Sequence, residues 1–145
     1  MPSAKINEAT QREWRELGFF YDRDDSAKEW RIAGSKGNLN CFVKILRDYA
    51  ADARNDVISE HEHYGPYMYL EIGTWSTPEI TDHWIAGPLD KLLELAAVVE
   101  SRIEQANVGD SIELREAFSP ASPYEIVLEV KDESFDPALA DSACW

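Results

Sequence analysis

Two histidines one residue apart, His61-Glu62-His63, are the residues whose types and spacing most directly offer chemistry in this sequence. On an extended strand, residues i and i+2 project to one face, and imidazole is the commonest protein metal ligand. A metal site needs at least a third ligand, and the remaining histidine is His83. If Ser76-Thr77 closes a hairpin, His83 pairs near Leu70, roughly 23 Å from His63 at a rise of about 3.3 Å per residue. On that geometry the three histidines do not converge. Glu60 and Glu62 fall on the face opposite the pair, so a third ligand would have to be a carboxylate from another strand. The expectation is no metal and no cofactor, with His61 and His63 kept as the alternative: a ligand pair in a small metal-dependent enzyme. An ordinary polar strand entrance and a partner contact are the competing uses of the segment.

Other catalytic chemistries find less support. Cys41 sits on the flank of a helical stripe with no histidine near it in sequence, and no Gly-x-Ser-x-Gly elbow occurs. Gly34-Ser-Lys-Gly37 lacks the spacing of a phosphate-binding loop. The carboxylates are too numerous and too evenly spread to single out an acid–base pair. The expectation is a protein that is not an enzyme.

Charge is the strongest global signal: −14 overall, from 28 acidic and 14 basic residues. Residues 1–54 are nearly balanced, whereas residues 55–145 hold four basic residues, Lys91, Arg102, Arg115 and Lys131, against 19 acidic ones. Such a field repels nucleic acid and anionic membranes and draws basic partners inward. Neither an apolar leader nor a run of about 18 apolar residues is present, so the expected compartment is the cytoplasm. Cys41 and Cys144 lie too far apart in sequence to suggest a disulfide scaffold and are expected to be reduced thiols.

The elements that must position these groups follow from periodicity. A short helix spans residues 7–17 and ends at Gly18. A loose hairpin follows, with strands 18–21 and 29–33. Leu39, Phe42, Val43, Leu46, Tyr49, Ala50 and Ala53 form one helical stripe, with Asn38 the expected cap. Strict alternation then places Met68, Leu70, Ile72 and Thr74 on one strand face, and Tyr67, Tyr69, Glu71, Gly73 and Trp75 on the other. A partner strand, 79–86, leads to a second helix with Pro88 at its first position and a stripe of Leu89, Leu92, Leu93, Ala96, Val99, Ile103 and Ala106. A last hairpin pairs 111–118 with 124–131.

Trp30-Arg-Ile-Ala-Gly34 and Trp84-Ile-Ala-Gly87 each lead from a hairpin into a long helix, an internal echo. Together the pattern predicts an α+β domain over residues 1–131, in the order α-(ββα)(ββα)ββ. It consists of one antiparallel sheet of about six strands with both long helices on one face. Residues 132–145 read as an acidic C-terminal tail.

Two helices cannot cover both faces of such a sheet, which leaves a face for solvent or a partner. Tyr67, Tyr69, Glu71 and Trp75, with Glu60 and Glu62 beside them, have the composition of a surface for a basic protein: rigid rings and carboxylates. The competing reading covers these rings with the N-terminal helix or with Phe135 and Trp145 of the tail. SEHEHYGPYMYLEI and the strand-to-helix unit WIAGPLDKLLELAAVV resemble, in composition and architecture, the immunity proteins that bacteria pair with secreted or contact-delivered toxins. The resemblance implies direct association with one cognate, basic toxin domain, such as a nuclease, and inhibition of it. A regulatory module with an unknown basic partner is the alternative binding role.

Overall fold

The computed structural model describes residues 4–144. Its elements run α1 (Ala4–Leu17), β1 (Phe20–Asp24), β2 (Glu29–Ser35), α2 (Lys36–Ala51), β3 (His61–Tyr64), β4 (Leu70–Thr74), β5 (Glu79–Ile80), β6 (Ile85–Gly87), α3 (Leu89–Gln105), β7 (Ser111–Glu113), α4 (Arg115–Phe118), β8 (Glu125–Lys131) and α5 (Pro137–Ala140). The α+β class and the two long helices match expectation. The single antiparallel sheet does not.

There are two four-stranded sheets, ordered β1-β2-β8-β7 and β3-β4-β6-β5. Each is mixed, with antiparallel outer pairs flanking a central parallel pair, β2 with β8 and β4 with β6. Neighbours in sequence do form hairpins, and parallel pairing joins these into sheets: β1-β2 with the distant β7-β8, and β3-β4 with β5-β6, the next hairpin in the chain. The stretch 60–75 also divides into two strands, so the expected (ββα)(ββα)ββ becomes two ββαββ units in succession, residues 20–74 and 79–131. The units exchange their second hairpins: β7-β8 completes the sheet begun by β1-β2, and β3-β4 completes the sheet of β5-β6.

The internal echo is the sequence trace of this arrangement. Leu39, Phe42, Val43, Leu46 and Ala50 of α2 match Leu92, Leu95, Ala96, Val99 and Ile103 of α3 at a constant offset, and all are buried. Gly34 and Gly87 precede equivalent helix caps, Ser35 and Pro88. The Ser35 hydroxyl accepts from the Asn38 amide at 3.2 Å, so Ser35 rather than Asn38 is the cap. Pro88 is likewise the cap rather than the first helical residue. Leu93 faces solvent, and Leu95 takes the core position instead.

The two helices pack on each other, α2 against β2 and β8 and α3 against β6. Their stripes join Ile32, Leu70, Ile72, Ile80, Ile85, Ile126 and Leu128 of the inner sheet faces in one cluster. Each such buried aliphatic contributes about 1.5–3 kcal/mol before entropy is subtracted. Residues 114–118, expected to extend a strand, instead turn into α4 after Glu113. Beyond residue 131, Pro137 and Ala138 of α5 are buried, and α5 packs against α1 and β1. Arg15 of α1 forks onto Asp136, whose carboxylate also caps α5 by accepting from the Ala138 amide. Trp145 lies outside the described residues.

Candidate functional site

The chain between β3 and β4 turns through three left-handed residues, Gly65 (φ 74), Tyr67 (φ 65) and Met68 (φ 56). Glycine adopts this region freely, whereas a strained non-glycine costs about 1–3 kcal/mol and persists only where its surroundings impose it. A Cβ on Gly65 would lie 2.8 Å from side-chain atoms of both Leu17 and Tyr21, so any other residue would have to displace them as well as adopt the positive φ. The buried Tyr21 hydroxyl donates to the Pro66 carbonyl and accepts from the Tyr69 amide at 3.1 Å, clamping the turn from below. Burial pushes the Tyr21 phenol above its ordinary pKa, which keeps the donor proton in place.

This turn overturns the expectation of one continuous strand from Tyr67 to Trp75. Leu70, Ile72 and Thr74 do face inward, but Met68 is 60% exposed because it belongs to the turn. Tyr67 and Tyr69, 47% and 68% exposed, stack at 5.7 Å between centroids. The Tyr67 hydroxyl donates to Asp141 at 2.6 Å, and the Trp14 indole reaches the same carboxylate at 2.9 Å. Both α1 and the C-terminal segment therefore brace the turn, but they leave its tip open. Phe135 lies elsewhere, beside Val108 and Lys131. Beneath the tyrosines runs a cleft of ≈ 540 Å³ lined by Trp14, Phe20, Tyr21, Arg23 and Trp30.

The same turn decides the histidines. It folds β3 back along β4 so that His63 lies opposite Glu71 and His61 opposite Gly73. Because β6 runs parallel to β4 with Ile85 beside Ile72, His83 also arrives at Glu71. The expectation that His83 stays far from His63 is thereby corrected: the histidines converge on one carboxylate. His63 Nε2 lies 3.2 Å from Glu71 Oε1, and His83 Nε2 lies 2.9 Å from Oε2. The latter approach has ion-pair distance without hydrogen-bond alignment, and Oε2 accepts no hydrogen bond.

Glu71 projects outward, as the alternation predicts, yet it is 4% exposed and so presents no contact surface of its own. Among the described residues, His61, His63 and Glu71 are the group whose potential ligand atoms come together, all within 4.8 Å of one another. The rings of His61 and His63 meet edge to face at 5.1 Å.

The other candidate residues distribute around this centre. Glu60 and Glu62 are exposed at the edge of the sheet. Trp75 is half-buried, with its ring 5.8 Å from that of Trp84. Trp84 in turn lies flat over Gly73, where a Cβ would fall 2.2 Å from its ring, and donates to Glu79 at 2.6 Å. Sequence reasoning missed Tyr21, Trp14 and Asp141 as supports, because strand and helix periods do not report contacts across the fold. The Gly65-Pro66 pair was the available signal for a reversal, although the observed register, with His63 opposite Glu71, centres on Tyr67. Comparison with family models, curated proteins and solved structures gave no match to this chain.

Proposed function

We propose that the protein is an acidic binding protein that associates directly with a basic protein partner, in the manner of an immunity protein neutralising a toxin domain. The observation that carries this reading is the tip Tyr67-Met68-Tyr69. Three large apolar side chains stand consecutively in solvent on a backbone whose strain is maintained by a buried tyrosine clamp. Strain and exposure both cost free energy, and such expense is concentrated where a surface meets a ligand. Stacked tyrosines give rigid contact area at little cost in side-chain entropy, the usual make-up of a binding hot spot.

Charge supports the nature of the partner. The chain carries −14. Many of its arginines are already engaged by its own carboxylates: Arg15 with Asp136, Arg23 with Asp25, Arg31 with Glu29, Arg47 with Glu100 and Arg54 with Asp52. The surplus is therefore acidic surface, including Glu60 and Glu62 close to the tip in sequence, and it steers a basic partner toward it.

The test is capture from the source cell, or co-expression with the neighbouring gene, using the intact protein and the Tyr67→Ala/Tyr69→Ala double variant. A basic protein retained by the former and lost from the latter is the expected result. With that partner in hand, Tyr69→Ala should weaken binding by about 30-fold or more, the scale of a hot spot near 2 kcal/mol. Glu60→Lys with Glu62→Lys should slow association, and added salt should slow it further. A partner held equally by wild type and double variant would refute the assignment of the tip.

A further inference from the structure

We propose that His61, His63 and Glu71 form a binding site for a divalent transition-metal ion of the zinc class. The argument begins with protons. His63 Nδ1 lies 3.0 Å from the Met68 carbonyl oxygen, and His61 Nδ1 lies 3.0 Å from the Ser59 carbonyl oxygen. A carbonyl can only accept, so each Nδ1 carries a hydrogen, and Nε2 is the ring nitrogen left to act as a ligand. A histidine anchored through one nitrogen to a backbone carbonyl, with the other nitrogen free, is the orientation that metal-binding imidazoles take.

The Nε2 of His63 faces the Oε1 of Glu71 at 3.2 Å. A cation shared by these two atoms would be held by both. The spacing suits one: ligand atoms at about 2.0–2.1 Å from a tetrahedral zinc are about 3.3 Å apart. A single proton could bridge the His63–Glu71 contact, but it would leave the nearby His61 outside the cluster, in solvent. One metal ion satisfies all three groups together.

The carboxylate supplies an independent sign. Glu71 is buried on the outward side of the sheet, and its Oε2 accepts no hydrogen bond. A buried carboxylate oxygen without a hydrogen bond is costly, and a cation bound to the carboxylate would offset that cost. His83, its Nε2 2.9 Å from Oε2, lies beside the carboxylate but outside the three ligand atoms. Two imidazoles and one carboxylate leave a position open to solvent, the arrangement of a site that admits water or an exogenous ligand. Because His63 also holds the Met68 carbonyl, an occupied site would stiffen the exposed turn. The metal site stands without the partner reading, since ion binding needs no second protein.

Untagged protein, stripped with chelator and exchanged into metal-free buffer, would be titrated with Zn²⁺ by calorimetry and with Co²⁺ by visible absorption. The expected result is one ion per chain, with the intense Co²⁺ band of a low-coordinate nitrogen–oxygen site. His61→Ala and His63→Ala each lie at exposed positions and should weaken Zn²⁺ binding at least 100-fold, and Glu71→Gln should do so at least tenfold. His83→Ala should change it by less than tenfold. Zn²⁺ should raise the melting temperature of wild type and leave that of His61→Ala/His63→Ala unmoved. If Glu71→Gln fails to fold, the two histidine variants decide alone. Absence of stoichiometric binding by wild type, or binding undiminished in both histidine variants, would overturn the site.

Discussion

The two sheets have the same strand pattern, and their outward faces carry different residues at equivalent positions. On β3-β4-β6 those positions hold His61, His63, Glu71 and Gly73; on β7-β8-β2 they hold Ser111, Glu113, Val127 and Glu129. Beside Glu71 in the parallel direction stands Trp84, and beside Val127 stands Arg31. The inner faces match closely, Leu70 with Ile126 and Ile72 with Leu128, all fully buried. The connections differ as the outer faces do. Residues 65–69 make a strained aromatic turn, whereas residues 114–124 make a longer link that includes α4. The core is thus built twice, but the histidine cluster and the exposed turn occur once. What packing requires repeats, and what is unique marks the surface proposed to bind.

The largest expected effects test the repeated part. Leu39→Ala and Leu92→Ala, equivalent residues of the two stripes, should each cost about 2–5 kcal/mol and differ by less than about 1. Denaturant unfolding measures both, and a much larger gap would mean that the two halves of the core are not energetically alike. Next, Gly73→Ala drives a Cβ into Trp84 and should cost about 1–3 kcal/mol. Glu129→Ala, at the equivalent position of the other sheet, should stay within about 0.5 kcal/mol.

Tyr21→Phe strips the turn of a donor to Pro66 and an acceptor for Tyr69. It should cost about 1–3 kcal/mol and loosen residues 65–69, seen as faster amide exchange there. Exchange that speeds up in 114–124 instead would break the link between clamp and turn.

The smallest effect concerns Asp136. The Arg15 guanidinium hydrogen-bonds its carboxyl and holds it below the usual range, with help from the Ala138 amide. A depressed folded pKa means that the stabilisation is complete above the unfolded value and is lost as pH falls through the folded one. Both groups are partly exposed, so solvent and salt screen the pair. Asp136→Asn should therefore melt slightly below wild type near neutrality and converge with it on the acid side of about pH 4. A constant gap down to pH 2 would exclude this carboxylate as the cause.

Much of the architecture is legible in the residues themselves. Apolar stripes at helical spacing name both long helices, because an amphipathic helix must show its buried side in its period; Ala53 falls beyond α2 and is exposed, and Leu93 faces solvent. Gly18 after Leu17, at φ 93, ends α1 as its position suggests. The inward set Leu70, Ile72 and Thr74 is correctly phased because period-two alternation survives wherever the chain remains a strand. It fails at Met68, where Gly65-Pro66 has already turned the chain.

Sequence alone thus determined the α+β class, the two helices, the acidic balance and the alternation of β4. These are local properties, set by the spacing of side chains within a few turns or strand repeats. Only the tertiary structure decided which hairpins share a sheet, because parallel pairing skips over intervening elements, as little as β5 for β4 with β6 and most of the chain for β2 with β8, and leaves no periodic trace. That decision brought His83 to Glu71, whose other oxygen the β3-β4 turn had set against His63. The histidines were visible as residues; their convergence is a product of strand register.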